Sequence, residues 1–268
     1  MKIFAQNLTS LMPTGITLAP ELIEAFDWLE DQGWHQVRDG GQPEDHWLSI
    51  YPEDQRNQAG ASHVVFGGTT LPFTSHWSAP NPHVDNRIAE IATTAGDGGR
   101  AAIWLDEHGK QQFIQLGHDN ASIITDDPLV FLQYLAMGYP EPGALEGTDI
   151  TPLQSALEYH GFGSASDFAP NLSPILPIAF QGFLQNRFNL DIPATARDLG
   201  IKDFVEYNDE GTTDPFALWL TSVTPEPTEA ELAYEMELMR TIDSLNLQDS
   251  DSSETILEKI GTLFNPKD

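Results

Sequence analysis

His76, His83 and Asp85 form the one close cluster of metal-ligand side chains in this chain, imidazole and carboxylate being donors that a zinc ion accepts. A hydrolytic metal held there would activate water. Pro80 and Pro82, however, mark Thr74–Pro82 as a rigid surface loop, and no HExxH or comparable spacing occurs. The cluster therefore reads as solvated loop side chains, with a metal-dependent hydrolase kept only as an alternative. A serine nucleophile needs a GxSxG-like turn, which neither Gly161-Phe162-Gly163-Ser164-Ala165 nor any other segment supplies. Gly96-Asp97-Gly98-Gly99 has the glycine content of a phosphate loop, but no Gly-Lys-Ser/Thr follows and the next segment reads as a strand. It is expected to be a tight turn. Carboxylate pairs such as Asp126-Asp127 and Asp209-Glu210 carry no acid/base signal in a chain with 41 Asp and Glu, and the first pair suits a helix N-terminus. With no cysteine, thiolate chemistry and disulfides are excluded. No catalytic residue, metal or cofactor is expected.

Charge points to binding instead. Against 41 acidic residues stand 12 Lys and Arg, a formal net charge of -29, and both nucleic acid and anionic membrane demand cationic surface. A basic protein partner fits such a field, which would steer its approach; the plainer account of the acidity is solubility. The 40% of hydrophobic residues in 268 is enough for a packed core. No apolar run approaches a membrane span and the first eleven residues lack a signal-peptide core, so a cytoplasmic location is expected. Trp104, within Ala102-Ile103-Trp104-Leu105, reads as a core residue of an alternating strand. Trp77, in the proline-rich loop, reads equally as an exposed anchor for a partner or as a lid packed down on the core.

The elements that must position these residues follow from periodicity. Leu22, Ile23, Phe26 and Leu29 after Pro20 predict a short helix. Strands are predicted at His46–Tyr51, Ser62–Phe66, Arg87–Ala92, Ala101–Asp106, Gln111–Leu116 and Ser122–Thr125, where β-branched and aromatic residues are bounded by Gly or Pro. Their connections are too short for crossover helices, so the sheet is expected to be largely antiparallel. Asp126-Asp127-Pro128 then opens a buried helix through Leu129, Phe131, Leu132, Leu135 and Ala136. Pro, Gly and acidic residues gather in Tyr139–Pro152, which predicts a boundary near Gly143. Beyond it lie apolar stripes at Leu153, Ala156, Leu157, His160 and at Phe180, Phe183, Leu184, Phe188. Thr228–Glu231 matches a capping box ahead of Leu232, Met236, Met239, Ile242 and Leu245, and Ile256–Phe264 offers a last apolar face. The fold class is thus α+β, with 1–142 as an α+β domain and 143–268 as a mainly helical extension, packed on the first domain or independent of it.

The segment from Ile91 to Pro140 resembles the C-terminal half of a SUKH-type domain. The Gly96-Asp97-Gly98-Gly99 turn, the Ala101-Ala102-Ile103-Trp104-Leu105 strand and the helix ending Phe131-Leu132-Gln133-Tyr134-Leu135-Ala136-Met137-Gly138-Tyr139 carry the likeness. Phe188–Ala196 and Phe216–Leu220 are similar to the extension that follows such domains in some bacterial members. The superfamily includes a fungal regulator of glucan synthesis and many bacterial immunity proteins. The resemblance implies a sheet packed by helices, no cofactor, and neutralisation of a toxin by direct binding. Since many such toxins are nucleases with basic active surfaces, an acidic inhibitor would suit them. A regulatory scaffold without a toxin partner is the alternative. Trp77, Asp97, Asp106, Glu107 and Asp119 are the candidate partner-binding residues, the four carboxylates because they should fall in turns and strand ends, where binding surfaces form.

Overall fold

The computed structural model describes residues 1–38, 40–77, 80–117, 120–161, 172–206 and 211–230, with 232, 233, 236 and 240 beyond them; the side chain of His76 is not described. The predicted first helix spans Pro20–Asp31 (α2), with Pro20 in its first turn and Leu22, Ala25, Phe26 and Leu29 buried. An unpredicted helix, Ile3–Leu11 (α1), precedes it and buries Phe4, Ala5 and Leu8. Seven strands then follow in chain order, all antiparallel: His35–Val37 (β1), His46–Ser49 (β2), Val65–Phe66 (β3), Ile88–Thr93 (β4), Arg100–Leu105 (β5), Gln111–Leu116 (β6) and Ala121–Thr125 (β7). The expected α+β class and antiparallel sheet are what the chain adopts. Two predicted strands are shorter than their apolar runs, ending at Ser49 and starting at Val65. β1 has every residue exposed, so no burial pattern marks it in the sequence.

Gly96-Asp97-Gly98-Gly99 closes the β4–β5 hairpin, with Gly98 at φ 106° and the Thr94 N–H donating to the Gly99 carbonyl at 2.9 Å. The predicted buried helix spans Pro128–Leu135 (α4), and the Asp127 carboxylate caps it by accepting from the Leu129 N–H at 2.8 Å. Gly138 ends this segment at φ 88°.

Helices cover both faces of the sheet. On one face α1, α2 and α4 meet Phe66, Ile91, Ile103, Phe113 and Ile124, and the Phe113 ring stacks on Phe131 with centroids 4.3 Å apart. Burying a side chain such as Phe131 contributes roughly 1.5–3 kcal/mol. On the other face Ala102, Trp104, Ile114, Leu116 and Ala121 pack against Phe216, Trp219 and Leu220 of Pro215–Val223 (α7) and against Val84. Burial on both faces explains why Ala101-Ala102-Ile103-Trp104-Leu105 is apolar throughout. It corrects the alternating pattern read for that strand. Trp104 is a core residue, as expected.

The boundary expected near Gly143 is replaced by one after Thr224: Met1–Thr224 is one compact unit and Pro225–Asp268 a second. The composition of Tyr139–Pro152 interrupts periodicity without interrupting the core. The helices Pro152–Tyr159 (α5) and Ile178–Phe188 (α6) follow it, and Leu145, Phe180, Leu184, Ala196 and Ile201 are buried in the same cluster as Phe26 and Phe131. Three tyrosines fasten this stretch. Tyr51 donates to the Ile175 carbonyl at 2.6 Å, Tyr134 to the Pro142 carbonyl at 2.6 Å, and Tyr139 to the Ile150 carbonyl at 2.7 Å while accepting from the Ala196 N–H at 3.0 Å. Gly143 lies so close to β4 and β6 that a Cβ there would sit 2.4 Å from Thr94 Oγ1 and 2.6 Å from Gln115 Nε2. In α5, only Ala156 of the predicted stripe is fully buried, and Leu153 is exposed.

In the second unit the described residues 229, 230, 232, 233, 236 and 240 are helical, with the Leu232 N–H donating to the Thr228 carbonyl at 3.0 Å. Glu231 of the predicted capping box, Met239, Ile242, Leu245 and the Ile256–Phe264 face lie outside the described residues, as do Asp209-Glu210 and Phe162–Ala165. Among the described residues no helix is long and apolar enough to cross a membrane.

Candidate interaction surface

The stretch around His76, His83 and Asp85 is more ordered than a loop: Phe73–His76 is a 3-10 helix and Pro82–Asp85 a short helix, α3. Its proline spacing pre-sets helical starts that the loop reading overlooked. Asp85 faces inward, where its Oδ1 accepts from the Thr74 N–H at 2.8 Å and hydroxyl at 2.9 Å. The Asp85 carboxylate is thus occupied in joining the two turns. Among the described residues no group of three His, Cys, Asp or Glu is arranged to hold a metal ion.

The five candidate partner-binding residues do not form one patch. Asp97 is exposed at the β4–β5 turn, where its carboxylate accepts from the Gly99 N–H at 3.2 Å. Asp106 and Glu107 lie at the opposite end of β5, about 20 Å of strand away. Asp106 Oδ1 accepts from the His108 N–H at 2.9 Å and the Lys110 N–H at 2.8 Å, closing the β5–β6 turn. Glu107 is exposed beside it, and both border a hollow of about 310 Å³ shared with His83, Asn86 and Arg87. Asp119 lies outside the described residues. Trp77 is half-buried, edge-on to Phe73 with centroids 6.0 Å apart, and packs on the cluster around Trp104 and Trp219.

Charge is distributed with a consistent bias. Lys2 pairs with Asp31, Arg56 with Glu53, Arg100 with Glu90, Lys110 with Asp126, Arg187 with Glu24, and Arg197 with Asp149 and Asp203. Arg38 lies 4.0 Å over the Trp47 ring, and Arg87 donates to the Leu105 and Asp106 carbonyls. These eight cations are engaged within the chain, and the formal net charge of the whole sequence is -29. Two carboxylates are held below their ordinary range. Lys110 does this to Asp126 by a direct hydrogen bond, and the Thr148 hydroxyl, 2.6 Å away, does it to Asp203 ahead of Arg197.

One concave surface combines paired carboxylates with half-buried aromatic rings. Ile23, Glu24, Asp27, Trp28 and Asp31 share one side of α2 at helical spacing and, with Phe183 of α6, line a groove of about 590 Å³. The Trp28 and Phe183 rings stack at 4.6 Å and 19°. Trp34 meets Trp28 edge-on at 5.4 Å, while Phe188 meets Phe183 edge-on at 5.7 Å. The α2 half of this groove is legible as an i, i+3, i+4 set of Glu24, Asp27, Trp28 and Asp31, but nothing in the sequence joins it to Phe183, 155 positions further along the chain. No protein-family model, curated protein or solved structure matches this chain.

Proposed function

We propose that this chain is a non-catalytic protein-binding module of the immunity type, which neutralises a basic toxin domain by covering its cationic surface. The observation that carries this reading is the net charge of -29 together with the internal pairing of Lys2, Lys110, Arg187 and Arg197. Such a surface repels nucleic acid and attracts a protein that binds it. The likeness of Ile91–Pro140 to SUKH domains points the same way. The test is to purify the protein with any basic protein encoded beside its gene. A stoichiometric complex, formed at low salt and weakened at high salt, with relief of that partner's toxicity, is expected. No association with such a protein, or association indifferent to salt, would move the assignment to a regulatory scaffold.

A further inference from the structure

We infer that His46 makes the seating of α1 on the sheet sensitive to acid, a proton taken up at its Nδ1 loosening the helix. This device is independent of the proposed function. His46 opens β2 and keeps only 5% of its surface exposed. Asn7 of α1 holds it: Asn7 Nδ2 lies 3.3 Å from His46 Nδ1, so the amide donates to the bare ring nitrogen and the neutral imidazole carries its proton on Nε2. That Nε2 is buried without a partner among the described residues. The Phe4 ring of the same helix meets the imidazole edge-on, with centroids 5.6 Å apart. α1 thus rests on an uncharged histidine.

A second proton goes to Nδ1, where the new N–H faces the Asn7 donor, and the hydrogen bond between α1 and β2 is lost. Turning the Asn7 amide over restores that bond but leaves a charged ring with an unpaired Nε2–H, and a buried charge is costly unless it is paired. Among the described residues the charged or titratable groups that act on the ring are Glu30 of α2 and His35 of β1, whose ring centroid lies 5.7 Å away. Burial holds the imidazole below its ordinary range, Glu30 draws it up and His35 presses it down. Glu30 already accepts from the Phe4 N–H at 3.0 Å. A charged His46 competes with that N–H, so pairing with Glu30 also weakens the hold on α1. The flanking carboxylates are turned elsewhere, Asp45 to the Gln42 N–H and Glu44 to the Thr70 hydroxyl. Because the imidazole is depressed in the folded chain, its contribution is whole above about pH 6.5 and is lost as pH falls below it.

The test follows hydrogen exchange of the α1 amides by mass spectrometry in the full-length protein, corrected for the intrinsic effect of pH. In the wild type, protection of Ile3–Leu11 should fall about five- to tenfold between pH 7.5 and pH 5.5, the ceiling being set by an open form whose histidine titrates near 6.5. In His46→Gln, which keeps a polar group and cannot charge, the fall should be less than about twofold. His35→Gln removes the opposing charge and should make the fall smaller. His83→Gln, exposed on α3, should leave it unchanged. Should His46→Gln leave α1 unprotected already at pH 7.5, the wild type decides by NMR: the His46 imidazole should titrate below about pH 6.5 and the α1 amide signals should shift with it. Titration at the ordinary value, or without movement of the α1 signals, would overturn the inference. So would α1 protection unmoved by pH in the wild type, or an equal fall in His46→Gln.

Discussion

The two faces of the sheet are held by different means. On the face under α2 and α4, three buried tyrosines place every hydroxyl on a backbone partner, and those partners belong to the segment after Pro140 or to the loop beside it. On the face under α7, Trp104 and Trp219 are equally buried, with ring centroids 5.3 Å apart, yet neither indole N–H has an acceptor among the described residues. There α7 is fixed by apolar packing and by Asp214, which caps the helix through Phe216 and Ala217 and also accepts the Ile123 N–H of the edge strand at 3.0 Å. The three tyrosines are specified by directional bonds and the two tryptophans mainly by shape. A satisfied buried polar head favours one arrangement over its neighbours, whereas an orphan donor carries a standing cost of about 1–3 kcal/mol.

The comparison breaks most easily at Phe180, which is fully buried in the cluster joining α6 to the sheet. Phe180→Ala should cost about 3–5 kcal/mol and lower a single cooperative urea transition for the whole of Met1–Thr224. An early separate step for residues after Gly143 would restore the boundary that the sequence suggested. Gly143→Ala forces Thr94 or Gln115 aside and should cost about 1–3 kcal/mol, measured by the same melt. Tyr139→Phe leaves the Ala196 N–H and the Ile150 carbonyl without their partner, for an expected loss of about 1–2 kcal/mol. Trp104→Phe should cost about 1 kcal/mol or less, because the lost packing is offset by removal of an unsatisfied donor. If Trp104→Phe proves the more damaging of the two, the contrast between the faces is lost.

A further effect lies at alkaline pH. Burial pushes the Tyr51 and Tyr139 hydroxyls up to about 12. In the unfolded chain they ionise near 10. Their contribution is therefore complete below pH 10 and is lost as pH rises from there toward 12, as the unfolded state releases protons that the folded state retains. Tyr139→Phe should flatten that part of the stability profile, read from melting temperatures across the range.

Much of the scaffold was legible because its signals are local. Asp127-Pro128 fixes the start of α4, Pro20 that of α2, and Gly98 the β4–β5 turn, each through chemistry within a few residues. What the sequence hid is non-local. β1 carries no burial pattern, and the proline-rich Tyr139–Pro152 reads as a linker although Tyr134 and Tyr139 bind it to the core. The aromatic groove needs Trp28 and Phe183 to meet across the fold, which periodicity along one helix does not report. The candidate carboxylates were chosen for lying in turns; the hydrogen bonds of Asp106 show that a turn employs such a group to hold itself closed.

The central claim, that this acidic surface exists to capture a cationic protein, is tested most directly by association kinetics. The rate constant for binding the basic protein encoded beside the gene should be measured by stopped flow as ionic strength is raised. The account predicts a steep fall in the association rate with little change in dissociation, as electrostatic steering is screened. An association rate independent of salt would contradict it and leave the charge of this chain as a property of its solubility alone.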